Sequence, residues 1–452
     1  MENLKAIILA AGEGTRMKSK IPKVLHKVMN KPMVERVIEA AQGVGARQVA
    51  VVVGHKADMV KEAVKNEKVS FALQQKQLGT GHAVMQAIDF IDDDKDIIIL
   101  YGDTPLIKQE TLKNLVEFHR SEDNGVSIIS AVVEDSAGYG HIIRDEKGNF
   151  VKNVEYKDAT EAEKQVKEIN TGIYCYKGSK LKEALGNLKN NNAQGEYYLP
   201  DTLEIILSAG SKVNAMNADD VTEFFGVNSR IQLSEAEVIL KNRVNRMHME
   251  NGVTIIDPAQ TYIEDSVKIG CDTIIYPGCV LEGKTEIAED CHIGPYAKLS
   301  NMKIGNGTKV QFSTAIDSEV GENTTVGPYA YIRPNCKIGN NIKVGDFVEV
   351  KNSVIGDGTK ISHLTYIGDS DVGQNINFGC GTVTVNYDGK NKFRTVIEDN
   401  VFIGCNANLV APVTLKKGSY VAAGSTITKD VPEKALAVAR NKQINLEGWT
   451  KK

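Results

Sequence analysis

Residues 269–299 read IGCDTIIYPGCVLEGKTEIAEDCHIGPYAKL, and an aliphatic side chain returns at every sixth position: Ile269, Ile275, Leu281, Ile287, Ile293, Leu299. After a one-residue slip the register resumes at Ile304, Val310 and Ile316, then runs through Val320, Val326, Ile332, Ile338, Val344, Val350, Ile355, Ile361 and Ile367. A last block holds Ile397, Ile403, Leu409, Leu415, Val421 and Ile427. Side chains on a helix recur with a period of 3.6 and on an ordinary strand with a period of two. A period of six belongs to a parallel β-helix of short flat sides, with each aliphatic residue pointing into a narrow prism. Coils of such a prism stack at strand spacing.

The pattern resembles the hexapeptide repeat of left-handed β-helices, in which three sides make a coil of about 18 residues. That resemblance implies side-by-side trimers and, in many cases, acyl transfer, although the repeat alone is only a scaffold. Half of the 40 glycines fall in residues 253–430, where prism corners are expected to need positive φ or close backbone approach. The register breaks at residues 377–394, which predicts a loop leaving the prism. Residues 432–449 (PEKALAVARNKQINLEGW) are expected to begin a short helix and end in a tail.

Working outward, residues 3–227 alternate strand-like runs (KAIILAA, QVAVVVGH, DIIILYGD) with helical patterns (PMVERVIEAAQGVG, ADMVKEAVKN). This predicts an α/β open sheet, Rossmann-like, with ligands at the carboxyl ends of parallel strands. Residues 229–250, SRIQLSEAEVILKNRVNRMHME, contain neither Gly nor Pro. They predict one helix of about 33 Å with an apolar stripe of Leu233, Leu240, Val244 and Met247. The expected domains are therefore 1–228, a linker helix 229–250, and 251–452 with a C-terminal tail. A chain of 452 residues is too long for one ordinary core.

Bulk properties exclude some classes of function. The net charge of −4 offers no basic footprint for nucleic acid. No run of 18 apolar residues occurs, so membrane insertion is not expected, and MENLKAIILAAG lacks the marks of a signal peptide. The seven cysteines are odd in number and form no CxxC pair. Six of them (Cys271, Cys279, Cys291, Cys336, Cys380, Cys405) sit in the repeats, which fits reduced thiols in a cytoplasmic protein.

Two constellations carry chemistry. Leu9-Ala10-Ala11-Gly12-Glu13-Gly14-Thr15-Arg16-Met17 follows the first strand, and a glycine turn there exposes N–H groups that can cradle phosphates. Met17 stands where a dinucleotide fingerprint needs its third glycine, and no Walker lysine follows. Arg16 and Lys23 add two cations suited to a triphosphate. Asp103 ends the strand Ile97–Tyr101, where a carboxylate can hold Mg²⁺ together with substrate phosphates. In the repeats, Arg333 and Lys351 each follow an inward residue and lie one coil apart, so they should project outward from adjacent rungs. Such stacked cations repel unless an anion bridges them, and a sugar phosphate is the natural bridge. His363, expected one coil further, is placed to act as a general base, with Asp346 or Glu349 on the rung below to orient it.

LAAGEGTRM, PKVLH, LQQKQLGTGHAV, LYGDTPLI, GYGHI, VEYKDAT, EINTGIY, NNNAQGEYY and FGVNSR occur in that order. Together they resemble the bacterial bifunctional N-acetylglucosamine-1-phosphate uridylyltransferases/glucosamine-1-phosphate N-acetyltransferases, over essentially the whole chain. The resemblance implies that Leu9, Ala10, Ala11, Gly12 and Tyr101 line the UTP site, with Gln74, Gly79 and Thr80 at the uracil end. It implies that Arg16 and Lys23 contact phosphates in catalysis, and that Asp103 and Asn228 bind Mg²⁺. It implies further that Gly140, Glu155, Asn170 and Tyr198 hold N-acetylglucosamine 1-phosphate. In the second domain it gives His363 as catalytic base, and Arg333, Lys351, Tyr366, Asn377 and Lys392 around glucosamine 1-phosphate. It also implies that Asn386 and Tyr387 lie toward the reacting centre, and that acetyl-CoA passes Cys380, Cys405, Ala423 and Arg440. The chain departs from the family at His141 (often Arg), Pro200 (Thr), Cys380 (Ala) and Cys405 (Ser). Competing readings are a single-function sugar-1-phosphate nucleotidyltransferase with a trimerising β-helix, a three-histidine zinc enzyme, and a non-catalytic binding protein.

Overall fold

Leu4–Ala10 lies at the middle of the first sheet in a computed structural model that describes residues 3–192 and 194–450. The main path of that sheet runs Val213–Asn217, Val126–Val132, Glu168–Lys177, Asp96–Tyr101, Leu4–Ala10, Gln48–Val53, Ser70–Leu73. Leu4–Ala10 pairs in parallel with both Gln48–Val53 and Asp96–Tyr101, as near-continuous aliphatic runs buried on both faces require. The sheet is nevertheless mixed, because Glu168–Lys177 runs antiparallel between Asp96–Tyr101 and Val126–Val132. Two apolar clusters, one on each side of the sheet, bury the aliphatic faces of the strands and helices.

The helix Arg230–Glu250 forms as predicted. Ser229 caps it: its Oγ accepts from the Gln232 N–H at 3.2 Å, and Gln232 Oε1 accepts in turn from the Asn228 N–H at 2.9 Å. The expected stripe is corrected in part. Leu233 and Leu240 pack beside Ala236 against Val28, Met33, Leu106 and Val227. Val244 is buried with Asn245 and His248, but Met247 is exposed. Asn245 takes the inward place because its Nδ2 donates to the Pro258 and Thr261 carbonyls. The chain falls into two compact units that part between Leu240 and Lys241.

The second unit is the prism. Its short parallel strands form three sheets of 11, 10 and 9 strands, each strand pairing with the one a coil later on the same face. Stacked in this way, the hexad repeats form a left-handed β-helix. The hexad aliphatics fill its interior, from Ile275 and Leu281 to Leu415 and Ile427, except that Ala315, paired with Leu299, takes the inward place expected of Ile316. A ladder of hydroxyls shares that interior: Thr308 donates to the Gly321 carbonyl at 2.6 Å and accepts from the Thr324 N–H at 3.1 Å, and Thr324 repeats the arrangement with Gly339 and Ile342. Three expectations are corrected. Many corners take positive φ without glycine, at Asn301, Asn323, Asn335, Asn341, Asn352 and also Tyr296, Phe312, Tyr329 and Phe347. The Asn residues repay the strain with side-chain bonds between rungs, as Asn301 does to Lys284 N–H and Asp317. Second, the break in register is narrower than 377–394: Phe378 and Thr384 still point inward, and only 386–394 leaves the prism. Third, no helix forms in 432–450. Leu436–Ala437 adds a last strand to Tyr420–Val421, because the open edge there takes backbone bonds from Tyr420 to Ala435 and from Ala422 to Ala437. Among the described residues, no helix is long and apolar enough to cross a membrane.

Candidate functional site

The carboxyl ends of the parallel strands open on a cleft walled by Leu9, Ala10, Ala11, Gly12, Lys23, Gln74, Gly79, Thr80, Tyr101 and Asp103. Ten expected residues thus meet in one place. Gly14 turns the loop at φ +63, and a Cβ there would fall 2.5 Å from that of Lys23. Gly79, at φ +105, brings the chain against the Tyr197 backbone, where a Cβ would lie 2.6 Å from the carbonyl oxygen. Gln74 is buried, donates to the Gly79 carbonyl at 3.2 Å and lies 3.0 Å from His82 Nδ1. Arg16 is not on the wall; it stands exposed on the 3-10 turn Thr15–Met17.

Lys23 links the two residues expected to bind a metal. Its ammonium donates to Asp103 Oδ2 in a very short ion pair and to Asn228 Oδ1 at 2.7 Å. The Val227 N–H donates to the Asp103 carbonyl at 2.9 Å, so the two oxygen donors ride on hydrogen-bonded backbone.

A second cleft shares Thr80, Tyr101 and Glu196 with the first and adds Glu155, Tyr156, Lys157, Tyr198 and Pro200. Burial raises the Glu155 carboxyl above its usual range. Tyr198 is pushed up to about 12 by desolvation, then by the charges of Asp158 and Glu196. Asp201 rises to about 6 through burial and the like charges of Glu204, Glu155 and Asp158. Gly140 and Asn170 stand behind this wall: the Asn170 N–H donates to the Gly140 carbonyl at 2.8 Å, and Asn170 Nδ2 to Asn153, which in turn holds Glu155. His141 is wholly buried, with Nδ1 held 2.9 Å from the Val166 carbonyl, whereas Pro200 does line the cleft. Gln77, Tyr156, Lys157 and Glu196 are wall residues that sequence reasoning did not single out, although each lies inside a motif quoted above.

In the prism, Tyr331 pairs with Glu349 and Lys351 with Gly368, and the Arg333 N–H donates to the Val350 carbonyl. Arg333 and Lys351 therefore stack on adjacent rungs, as their spacing predicts. Beyond Val385 the chain leaves the prism and returns as a tight hairpin closed by the Tyr387–Lys392 bridge. That hairpin sets Lys392 against Lys351, whose ammonium is held below the usual lysine range by its neighbour and by partial desolvation. Partial burial works to raise the Asp369 carboxyl, but bonds from Asn352 and Asn386 and the charges of Lys351 and Lys392 keep it low. Tyr366 Oη lies 3.4 Å from Asn386 Nδ2. Arg333, Lys351, Tyr366, Asn386, Lys392 and Asp369 form one constellation.

His363 is not one coil beyond Lys351. It ends Lys360–His363 on a neighbouring face, and the partner of Lys351 is Gly368. Its rung partner is Asp346, and Nδ1 lies 2.5 Å from Asp346 Oδ1. Glu349 is engaged elsewhere, accepting from Arg333 at 2.9 Å. Asn377 shares the face of His363, on the rung that pairs with Lys360. Continuing the pairing of Lys360 with Asn377 and Ile361 with Phe378 puts Cys380 directly above His363. Bonds from Asn406 to the Cys380 carbonyl and from Gly424 to the Cys405 carbonyl extend the same column through Cys405 to Ala423. Four expected residues thus form one line up a prism edge, and the exposed Arg440 follows near its end. His292 stands four rungs from His363 in the sheet order, too far to share a metal ion.

Comparison with known proteins agrees with this division. The nucleotidyl transferase family model matches residues 5–222, and the bacterial transferase hexapeptide model matches 266–301, 317–352 and 394–429. The chain is 56% identical over 450 residues to the bifunctional protein GlmU of Clostridioides difficile, covering 100% of this chain and 98% of that protein. It is 57% identical over 449 residues to the protein of that name from Caldanaerobacter subterraneus, covering 99% and 98%. It belongs to the bifunctional GlmU family. A member of that family is a transferase twice over, a uridylyltransferase through its nucleotidyl transferase unit and an N-acetyltransferase through its hexapeptide unit. The scaffold-only reading of the β-helix and the non-catalytic reading are set aside.

Proposed function

We propose that the prism acetylates glucosamine 1-phosphate with acetyl-CoA, and that the first unit couples the resulting N-acetylglucosamine 1-phosphate to UTP, giving UDP-N-acetylglucosamine and pyrophosphate. The observation that carries this reading is the cation constellation of Arg333, Lys351 and Lys392 at one edge of a prism whose next edge bears His363 and a column of small residues. A scaffold has no use for stacked like charges, which are stabilised when a phosphate dianion lies among them.

In acetyl transfer the sugar amine attacks the thioester carbonyl; the C–N bond forms, the C–S bond breaks, and the thiolate leaves. His363 takes the proton that the amine loses. The Asp346 carboxylate accepts from Nδ1–H, which leaves the Nε2 lone pair for that proton. The column Cys380, Cys405, Ala423 keeps the edge low enough for the pantetheine arm of acetyl-CoA, with Arg440 near its phosphates. The cysteines line the path and carry no acyl group.

In uridylyl transfer a phosphate oxygen of the sugar attacks the α-phosphorus of UTP, and the bond to the β-phosphate breaks. The nucleophile is already an anion, so no protein base is required. The chain's part is orientation and charge neutralisation by the Gly12 turn, Lys23 and Arg16, with uracil against Gln74, Gly79 and Thr80. The sugar lies in the adjoining cleft beside Glu155 and Tyr198, braced by Gly140 and Asn170. Asp103 and Asn228 offer hard oxygen donors converging on a point that already holds a cation, the Lys23 ammonium, and so they fit Mg²⁺. When bound, Mg²⁺ would neutralise charge developing on the phosphates.

A homotrimer is part of the proposal. Tyr296, Phe312, Tyr329 and Phe347 stack at 5.5–5.7 Å between ring centroids along one prism corner, and Tyr296, Tyr329 and Phe347 are more than half exposed. A ladder of exposed rings supports side-by-side packing of prisms. UTP and acetyl-CoA as substrates, together with seven free cysteines, support a cytoplasmic site. The test is thiol release from acetyl-CoA by Lys392→Met. KM for glucosamine 1-phosphate should rise by about tenfold or more, while KM for acetyl-CoA stays near wild type. An unchanged sugar KM contradicts the assignment.

A further inference from the structure

The ammonium of Lys23 stands where the oxygens of Asp103 and Asn228 converge. These donors come from different parts of the chain, one at the end of the strand Asp96–Tyr101 and the other just before the helix Arg230–Glu250. The Val227–Asp103 backbone bond and the Ser229–Gln232 cap fix both segments. Lys23, by contrast, reaches them on a flexible four-carbon stem from the 3-10 turn Lys23–Leu25. A divalent cation bound to both oxygens would sit about 2.0–2.1 Å from each if it were Mg²⁺. The ammonium already touches both. Two like charges cannot occupy that one point.

We infer that Lys23 is an internal counter-ion that competes with the divalent cation for Asp103 and Asn228, so that metal entry expels its ammonium toward the phosphates of the nucleotide. This rests on the proposed metal role of Asp103 and Asn228. Without metal, Lys23 keeps two carboxyl and carboxamide oxygens together that would otherwise face each other with no cation between. With metal, the same ammonium is released, in the same cleft, to the phosphates. By linkage, whatever draws Lys23 away tightens metal binding, and metal binding favours the group that draws Lys23 away. Gly14 leaves room for the stem of Lys23, since a Cβ there would fall 2.5 Å from that of Lys23.

The test measures binding of Mn²⁺ alone to the full chain, by electron paramagnetic resonance of the free ion and without nucleotide. Removing the competing charge in Lys23→Met should tighten Mn²⁺ binding by about tenfold or more, the equivalent of about 1.4 kcal/mol, although uridylyl transfer falls. Lys23→Gln, which keeps a neutral donor to Asp103, should tighten it likewise and serves if the Met variant is unstable. Adding Asp103→Asn to either variant should abolish the gain. If both Lys23 variants bind Mn²⁺ no more tightly than wild type, while Asp103→Asn still weakens binding, the competition is refuted and the metal site stands. If Asp103→Asn leaves Mn²⁺ binding unchanged in every background, the metal assignment itself is refuted.

Discussion

Asp346 carries more information than any other residue that the sequence left open. Both Asp346 and Glu349 were candidates to orient His363, because a rung fixes height along the prism and not which face a side chain occupies. In the structure Asp346 meets His363, and Glu349 meets Arg333. The hydrogen bond from His363 holds the Asp346 carboxyl below its usual range, so it stays anionic throughout neutral and mildly acidic pH. Asp346→Asn should lower kcat for acetyl transfer by about tenfold or more by freeing the tautomer. An unchanged kcat would remove Asp346 from the dyad. The motif residues of the first unit were legible in the same way: ten of them line one cleft. Arg16 was less so, since its charge could be read in the sequence but its exposed position on the 3-10 turn could not.

At the scale of elements, the hexad aliphatics announced the prism because one inward position on nearly every side of a coil is filled by Ile, Val or Leu. Corners were misread for a physical reason. A left-handed turn can be met by Asn or Asp, whose short side chains bond the next rung, as well as by glycine. The last strand was misread too, because the unpaired edge of Tyr420–Val421 outweighs the local helical pattern of 432–449. Glycine is nonetheless required at particular places within strands. A Cβ on Gly345 would stand 1.9 Å from the Ser362 backbone oxygen, one rung up and next to His363. Gly345→Ala should cost about 3 kcal/mol of stability in the prism, seen as a lower Tm for that unit. It should also impair acetyl transfer by displacing Asp346, and leave uridylyl transfer intact. An unchanged Tm would show that the rungs yield easily.

At the scale of the molecule, two unlike folds share one chain, and each is proposed to bind its own anionic substrates. The proposed trimer rests on the aromatic corner ladder of the second fold. Phe347→Asp places a charge in the middle of that ladder and should reduce the mass found by sedimentation from trimer to monomer, with loss of acetyl transfer. A trimer retained would move the interface to another face. The central claim is that two independent active sites work on one polypeptide. Its most direct test is a crossed pair of assays on wild type, Asp103→Ala and His363→Ala. One follows pyrophosphate release from UTP with N-acetylglucosamine 1-phosphate, the other free thiol from acetyl-CoA with glucosamine 1-phosphate. The account predicts that Asp103→Ala abolishes only the first activity and His363→Ala only the second; a substitution that removes both, or a wild type that never consumes acetyl-CoA, would contradict it.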